Sequence, residues 1–418
     1  MQLYAQALTY AIPVFVALII VEAIAARIMG MKVNRGMDVI ASLSSGVTNL
    51  LKSLLGLSIA IVSYEWMEAR IGYFEISSSL MTYVVAFICM DFAGYWSHRF
   101  NHSVNLFWNR HVVHHSSEEF NLSCALRQEM SAFVRIYFFL YIPMAFLGVP
   151  PEVFAVIAPI QLFAQFWYHT RLIGRMGFLE HILVTPSHHR VHHAINEIYL
   201  DKNLSQIFII WDKLFGTFQE ELEEEPPIYG TLTPANSWNP VIINFSHAWR
   251  LAEDAWHAGS WWDKLRIWFM PLGWRPPDVA EKYPRQRPAI YGRSKYEPNA
   301  SGALRIWAWF QFVLCMLLLY HMVVGFGQHS ASEIAWYSAF LFATICSYTL
   351  LMDRRPLAVP TEAVRMGIAA AIMFKSNGWF GLEYWLPGGV WCVMGYLSLS
   401  LMMTVYFTFL ERRPEAVG

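Results

Sequence analysis

Long apolar runs are the feature that most limits how this chain can fold. Only 15% of its residues are charged and 56% are hydrophobic, whereas soluble domains carry about 25% charged residues. A helix needs about 20 apolar residues to cross a bilayer. Nine runs approach that length, at residues 6–29, 40–64, 78–97, 132–149, 151–168, 303–326, 334–352, 362–379 and 388–410. We therefore predict an all-α, polytopic helical bundle that is integral to a membrane, with about nine transmembrane helices.

Four of these runs, the second, the fourth, the fifth and the eighth, have features that weaken the prediction of a full crossing. The second run contains Lys52. Pro150 and Pro151 separate the fourth run from the fifth, so these two could form a tight hairpin that enters the bilayer without crossing it. The eighth run is also a weaker candidate, because it has Arg365 and Lys375 near its ends.

Basic residues beside the runs predict the orientation of the chain. Loops rich in lysine and arginine stay on the cytoplasmic side. With nine crossings, one side receives all three basic clusters, which are Arg27, Lys32 and Arg35, then Arg354 and Arg355, then Arg412 and Arg413. The histidine-rich stretches after the third and fifth runs lie on that same side. We therefore expect an external N-terminus and a cytosolic-side histidine-rich site.

The polar insert at residues 170–302 suggests a division into three parts. We predict N-terminal spans at 1–77, a catalytic domain at 78–302 and C-terminal spans at 303–418. Residues 236–275 mix charged residues with seven tryptophans at helical spacing, which favours an amphipathic helix pair at the membrane surface. Ordinary packing against the catalytic domain is the alternative. The tryptophans are Trp238, Trp249, Trp256, Trp261, Trp262, Trp268 and Trp274.

Net charge and cysteine content exclude several other classes of protein. The net charge of −1 gives no reason to expect nucleic acid or another strongly charged partner. The five cysteines are scattered, with no CxxC pair and no disulfide framework.

Three short histidine clusters are the strongest functional signal in the sequence. Their spacings of three and four residues place side chains on one face of a helix, so each cluster can offer two or three imidazoles to a common point. The clusters are His98 and His102, then His111, His114 and His115, then His188, His189, His192 and His193. We predict that they bind metal.

The number and type of these ligands favour two metal ions. Zinc takes about four ligands, so eight or more imidazoles exceed the need of one ion. Imidazole suits zinc, copper, iron and nickel. No carboxylate lies between the histidines of a cluster, which argues against a carboxylate-bridged di-iron bundle. The zinc-protease pattern HExxH fails because Arg99 replaces its glutamate. A redox pair of iron ions is therefore the best remaining choice.

The position of the clusters indicates a lipid substrate. The third run leads directly into His98, and the fifth ends beside His169. The clusters should therefore lie where the helical bundle meets the cytosol, within reach of a lipid chain that stays in the bilayer. Oxidation of an unactivated C–H bond needs a strong oxidant, which a metal with O2 supplies, and a dry cavity protects the reaction.

With these residues assembled, the chain resembles the fatty acid hydroxylase / sterol desaturase superfamily. That family carries HxxxH, HxxHH and a second HxxHH after membrane spans, and here they are HRFNH at 98–102, HVVHH at 111–115 and HRVHH at 189–193. Flanking stretches also match, including DFAGYWSHR, HHSSEEFNLSCALRQ and IIWDKLFGTF. The segments EPPIYGTLTPANSWNP and PLGWRPP, with the extra C-terminal spans, resemble its alkylglycerol monooxygenase members.

The resemblance implies an O2-dependent, membrane-bound di-iron enzyme that hydroxylates or desaturates a lipid. The lipid could be a sterol, a fatty acyl chain or an ether lipid, in which case the hydroxylated product is a hemiacetal that breaks down to an aldehyde. The implied catalytic metal ligands are His98, His102, His111, His114, His115, His189, His192 and His193, and His169 is a ninth candidate for metal binding. His188 and His181 are weaker candidates.

The resemblance leaves the source of electrons open. In the animal alkylglycerol enzymes a glutamate follows the second motif histidine and serves a reduced pterin, whereas Ser103 stands at that place here. Tetrahydrobiopterin and a separate redox protein are both possible external donors, because the sequence has no Rossmann, flavin or haem motif of its own.

Several polar residues could orient the histidines, because a ligating imidazole needs an acceptor for its other nitrogen. Asp91 is the sharpest candidate, because a carboxylate near the end of a span is costly without a partner. Pairing of Asp91 with Arg99 is the structural alternative. Arg127 and Arg135 could hold a lipid phosphate or extend to the interface. The full set of candidate acceptors is Asp91, Glu118, Asn121, Asp201, Asn203 and Asp212.

Two other functions compete with the oxygenase. A zinc-dependent hydrolase or isomerase on a membrane scaffold would need no electrons. A metal transporter or sensor would place its ligands near the middle of the bilayer, whereas these histidines follow the ends of the spans. The oligomeric state is not predicted.

Overall fold

The computed structural model describes residues 2–376 and 378–411, and the basic residues Arg412 and Arg413 lie outside this range. Its N-terminal part contains two long helices, one short helix and a fourth helix that leads into the first histidine cluster. Ser79 starts this fourth helix, because its hydroxyl accepts the Thr82 backbone N–H in a capping box. These helices are α1 (Gln2–Ile28), α2 (Gly36–Leu54), α3 (Tyr64–Ile71) and α4 (Leu80–Ser103).

Short elements make up the middle of the chain. Two strands, β1 (Ile59–Ala60) and β2 (Val134–Arg135), pair in parallel. Single 3₁₀ turns occur at Tyr137–Tyr141, Gly177–His181 and Glu197–Tyr199. The helices are α5 (Asn105–Trp108), α6 (Val112–His115), α7 (Leu122–Ala125), α8 (Ile142–Phe146), α9 (Pro151–Ala164), α10 (Pro186–His192), α11 (Ile210–Phe215), α12 (Pro240–His257), α13 (Trp261–Arg266) and α14 (Pro277–Lys282).

The C-terminal part is a bundle of four long helices. Ser301 and Ser330 cap the first two of them through their hydroxyl groups. Two 3₁₀ turns, Phe326–Gln328 and Leu382–Tyr384, lie in the connections. The helices are α15 (Gly302–Val324), α16 (Ala331–Met352), α17 (Ala358–Ser376) and α18 (Gly389–Val405), which continues as a π-helical turn at Tyr406–Leu410.

Among the described residues, five helices are long and apolar enough to cross a membrane, so the chain is an integral membrane protein. They correspond to the first, third, sixth, seventh and ninth predicted runs. They are Tyr4–Ile28, Leu80–Ser103, Gly302–Val324, Ala331–Met352 and Gly389–Leu410. The full set of nine crossings stays a prediction.

The other four runs form shorter or more polar helices. The second and eighth runs become α2 and α17, which bury the charged residues Asp38 and Arg365. The fourth run forms no spanning helix, because β2, a 3₁₀ turn and α8 divide it. Gly148 then turns the chain with φ +74°, and a Cβ there would lie 1.8 Å from the Phe74 carbonyl oxygen. The 14-residue helix α9 follows.

Two apolar cores hold the helices together. In the larger core, α1 and α2 pack with α15, and α16 packs between α15 and α17. In the smaller core, α4 packs with α3, α8 and α9. The N-terminal and C-terminal helices therefore share one core. The predicted division at residues 77 and 302 stays a prediction.

Candidate metal centre

Four separate segments deliver the histidines to one buried place. The last two turns of α4 carry His98 and His102, whose ring centroids lie 5.1 Å apart. The short helix α6, with the residue before it, carries the second cluster, and α10 carries the third. The segment after α9 adds His169, which is buried. The structure thus brings together the eight motif histidines and His169.

The nine side chains form two groups, and within each group the potential ligand nitrogens all lie within 4.8 Å of one another. We call them the five-histidine group and the four-histidine group. The five-histidine group is His98, His102, His111, His115 and His192. The four-histidine group is His114, His169, His189 and His193.

Sequence neighbours belong to different groups. His114 is in the four-histidine group and His115 is in the five-histidine group, and His192 and His193 are divided in the same way. Adjacent residues on a helix point about 100° apart, so each short helix serves both groups. The two groups are consequently neighbours, and the His115 and His193 ring centroids lie 4.3 Å apart.

Backbone carbonyls fix the outer nitrogen of several rings. The Nδ1–H of His98 donates to the Leu204 carbonyl at 2.7 Å, and that of His192 donates to the Lys202 carbonyl at 3.0 Å. In the four-histidine group, the Nδ1–H of His169 donates to the Gln165 carbonyl at 2.9 Å. A carbonyl can only accept, so these rings carry their proton on Nδ1 and present a bare Nε2 inward.

His114 shows the same arrangement, and its contact with His169 indicates whether a metal ion fits the site. Its Nδ1–H donates to the Arg127 carbonyl at 3.3 Å, and its Nε2 lies 3.2 Å from the Nε2 of His169. Two bare nitrogens facing each other cannot form a hydrogen bond, whereas a cation between them would bind both lone pairs. In the five-histidine group, the Nε2 atoms of His102, His115 and His192 are buried and have no hydrogen-bond partner. The donor set therefore fits metal ions.

At the seven of these histidines that lie outside α4, burial lowers the pKa and so favours the neutral imidazole, which is the form that binds metal. Desolvation lowers the pKa of His114 to about 4, against the opposing effect of its bond to the Arg127 carbonyl. The pKa of His115 is held well below its ordinary value by burial first and by the neighbouring His193 and His192 second. Burial also dominates the lowered pKa values of His111, His169, His189, His192 and His193.

Of the six predicted orienting residues, Asp201 contacts a histidine directly. Its Oδ1 lies 3.1 Å from the Nδ1 of His102. Asp201 has φ +56° and its side chain is 61% exposed. The five-histidine group therefore lies close to the protein surface at this point.

Three of the other predicted residues fix the loop at 201–212 instead. Asp91 accepts the backbone N–H groups of Ile207 and Phe208 and the indole N–H of Trp211, so neither pairing with Arg99 nor contact with a histidine is observed. Asp212 accepts the backbone N–H of Leu204 at 2.7 Å and thereby positions the carbonyl that holds His98. The third, Asn203, donates its side-chain amide to the carbonyls of His188 and Gln219.

The remaining predicted residues tie the site to other parts of the chain. Glu118 accepts the backbone N–H of Tyr296 at 2.6 Å, and Asn121 caps α7. His188 lies outside both groups and accepts the Thr185 backbone N–H. His181 also lies outside both groups.

The prediction for Arg127 was wrong, because its guanidinium is buried and pairs with Asp38 at 3.1 Å. Its exposure of 1% leaves no access for a lipid phosphate. Sequence reasoning also missed Glu22 of α1, which accepts the Thr170 hydroxyl at 2.6 Å beside His169. For Glu22, the available signal was an acidic residue within the first apolar run, where a carboxylate is costly without a partner.

An all-α membrane bundle with two adjacent groups of buried imidazoles defines a histidine-rich membrane metalloprotein, and the comparisons with known proteins agree. A family model described as fatty acid hydroxylase matches residues 83–217. The human alkylglycerol monooxygenase is 36% identical over 358 residues, 85% of this chain and 80% of the relative. The Danio rerio alkylglycerol monooxygenase is 34% identical, over 85% of this chain and 79% of the relative. No solved structure matches the chain.

A more distant relative matches a shorter part of the chain. The ornithine lipid hydroxylase of Rhizobium tropici is 30% identical over 138 residues, 32% of this chain and 41% of the relative. The chain therefore belongs to the fatty acid hydroxylase superfamily and aligns with its alkylglycerol monooxygenases over most of its length. It is an O2-dependent lipid hydroxylase. The predicted family, fold class and enzyme class are confirmed.

Proposed function

We propose that this protein is a di-iron monooxygenase that hydroxylates a glycerol ether lipid at the carbon bearing the ether oxygen. The observation that carries the proposal is the pair of adjacent five- and four-histidine groups with inward, unprotonated nitrogens. The likeness to alkylglycerol monooxygenases over 85% of this chain supports the choice of an ether lipid over a sterol or a fatty acyl chain.

The reaction balances with an external two-electron donor. The ether R–CH2–O–R′, O2, two electrons and two protons give R–CH(OH)–O–R′ and water. This hemiacetal then divides into the aldehyde R–CHO and the alcohol R′–OH. Two bound iron ions would supply the activation of O2 that C–H oxidation requires.

The residues of the chain would bind the two ions, fix the direction of the imidazole rings and exclude water from the centre. The nine imidazoles would hold the two ions, and the carbonyls of Leu204, Lys202 and Gln165 fix the direction of three rings. Phe120 is fully buried and stacks on His169, so it covers the four-histidine group and excludes water.

Two finer points complete the proposal. The centre lies on the cytoplasmic side. The basic residues Arg27, Lys32 and Arg35, at and just after the end of α1, support this orientation. The electrons come from outside the chain, either from tetrahydrobiopterin or from a redox protein. Ser103 stands at the place of the glutamate of the animal enzymes, and its hydroxyl donates a hydrogen bond to the Arg99 carbonyl at 2.6 Å.

The test combines metal analysis with isotope labelling. The purified full chain should hold two iron ions, and with 18O2, reductant and an alkylglycerol it should give 18O-labelled aldehyde, trapped by reduction before exchange with water. The acylglycerol of equal chain length should not react. One zinc ion per chain with turnover in the absence of O2 would instead establish a hydrolase or isomerase, and an unlabelled alkene would establish a desaturase.

Two ligand variants and one control test the site itself. His114→Ala and His192→Ala remove one ligand from each group and should each lower turnover at least 100-fold, with membrane insertion unchanged. His257→Ala is the matched control, because that exposed ring bonds to the carbonyl of Glu253, away from both groups. Normal turnover in either ligand variant would contradict the assignment.

A further inference from the structure

An exposed aromatic surface lies on α12 and α13, outside the histidine centre. Along α12, exposed apolar residues recur at 245, 249, 252 and 256, which is one continuous stripe of a helix. Trp249, Trp256 and Trp261 are 73%, 81% and 78% exposed. We call this surface the aromatic face, formed by Phe245, Trp249, Trp256, Trp261, Trp262 and Phe269.

The opposite side of α12 is firmly anchored, so the aromatic face is a fixed outward surface. Ile243 and Leu251 are buried there. Asp254, also buried, accepts two hydrogen bonds from Arg275, each of 2.8 Å, and one from Arg285 at 3.1 Å. An apolar patch of this size on a rigid scaffold indicates an interaction site.

The position of the aromatic face relative to α4 identifies what covers it. The segment after α13 contacts the end of this spanning helix, because Asn105 N–H donates to the Met270 carbonyl and Leu106 N–H donates to the Trp268 carbonyl. The 24 residues of α4 rise about 36 Å, whereas the hydrocarbon layer is about 30 Å thick. The end of α4, and α13 beside it, therefore lie at the level of the lipid headgroups.

The charges around the aromatic face also suit a phospholipid surface. The ammonium of Lys264 lies 5.4 Å from the Trp261 ring, and the guanidinium of Arg266 lies 4.9 Å from the Trp274 ring. The exposed acid Glu253 is neutralised by Arg285 at 2.6 Å. Tryptophan flanked by cations is the composition of membrane interfaces, where the rings sit among headgroups and the cations meet phosphates.

We propose that the aromatic face lies in the headgroup layer of the membrane, with α12 and α13 parallel to the surface and embedded about 5–10 Å deep. The occupant is the glycerophospholipid interface. The same helices hold the chain between His102 and His111, because the Nε2 of His247 bonds to the Asn105 carbonyl at 2.9 Å and Asn109 accepts the Ala248 N–H at 3.1 Å. The contact with the membrane would thus seat the histidine centre at lipid level.

Spin-label accessibility tests this proposal without requiring turnover. The full chain with its own cysteines replaced is labelled at Trp256→Cys and reconstituted in nanodiscs of phosphatidylcholine and phosphatidylglycerol. Ile88→Cys, near the middle of α4 on its exposed side, is the hydrocarbon control, and Glu223→Cys in the acidic stretch at 220–225 is the aqueous control. All three replaced side chains are exposed, so the fold should be retained.

We expect the label at 256 to be at least 5-fold less accessible to a water-soluble nickel reagent than the label at 223. Its accessibility to O2 should approach that at 88. Nickel access equal to that at 223 would overturn the proposal. Protection that appears only at high protein concentration would also overturn it, because a second copy rather than lipid would then cover the face. Neither result depends on the proposed ether-lipid reaction.

Discussion

Single hydrogen bonds decide which nitrogen each imidazole offers to the centre. Where Nδ1–H donates to a carbonyl, as at His98 and His169, the inward nitrogen is fixed as a lone pair. His102 differs, because its partner is the carboxylate of Asp201. A carboxylate polarises the ring more strongly than a carbonyl and makes it a better ligand.

Replacement of Asp201 should therefore weaken metal binding. Loss of such an orienting partner costs about 10–100-fold in metal affinity, so we expect a loss of that size for Asp201→Gly. Glycine tolerates the φ of +56° at this position, which separates loss of the carboxylate from backbone strain. Competition between the reconstituted protein and a ferrous chelator measures the affinity.

Asp201→Asn is the matched control for charge. Asparagine also tolerates a positive φ and keeps an oxygen that can accept from His102, so its affinity should lie between the wild type and Asp201→Gly. Equal affinities for all three proteins would show that the contact with His102 does not orient the ring.

The sequence predicted which histidines meet, because helical spacing fixes side-chain direction within each cluster. It could not predict how they divide, since His114 and His115 are adjacent yet join different groups. The acceptors at Leu204 and Lys202 are backbone carbonyls, and every residue has one, so residue type carries no signal for this role.

Buried carboxylates connect helices to the loops that surround the histidine centre. Asp91 of α4 is an example in which the need for a partner could be predicted from the sequence. A carboxylate in an apolar span must have partners, but both predicted partners, an imidazole and Arg99, were wrong. The carboxylate instead accepts backbone N–H groups of the loop at 207–208 and the indole N–H of Trp211. The tertiary fold brings that loop to α4, so local sequence could not identify it.

The ion pair between Asp38 and Arg127 joins α2 to the segment that carries the Arg127 carbonyl, the acceptor of His114. Both side chains are 1% exposed. Removal of one partner of a buried pair leaves an uncompensated charge and costs about 3–5 kcal/mol. Asp38→Ala should therefore lower the unfolding temperature measured by differential scanning fluorimetry in detergent.

The double variant Asp38→Leu/Arg127→Met tests whether the charge is the cause. Replacement of a whole buried pair by apolar residues is often neutral, so we expect the double variant to regain most of the lost stability. A double variant as unstable as Asp38→Ala would show that packing or the bonds to Ser42 and Ser117 dominate instead.

The N-terminal helices α1 and α2 also contact the segments that hold the histidine centre. The family model matches 83–217, yet Glu22 and Asp38 of the N-terminal helices reach the segments beside His169 and His114. The predicted all-α membrane bundle is confirmed. The lengths of the spans were less predictable, because α2 and α17 bury charged residues against neighbouring helices rather than in lipid.

The interleaving of the two histidine groups gives a last prediction for the whole centre. Since α6 and α10 each supply both groups, an ion in one group orders the helices that form the other. His169→Ala removes a ligand from the four-histidine group alone, because no other ligand lies on its segment. We expect the variant to bind one iron ion, and to bind it several-fold more weakly than either ion binds to the wild type. Iron titration followed by Mössbauer spectroscopy measures both quantities, and a remaining ion held with wild-type affinity would show that the two groups are independent.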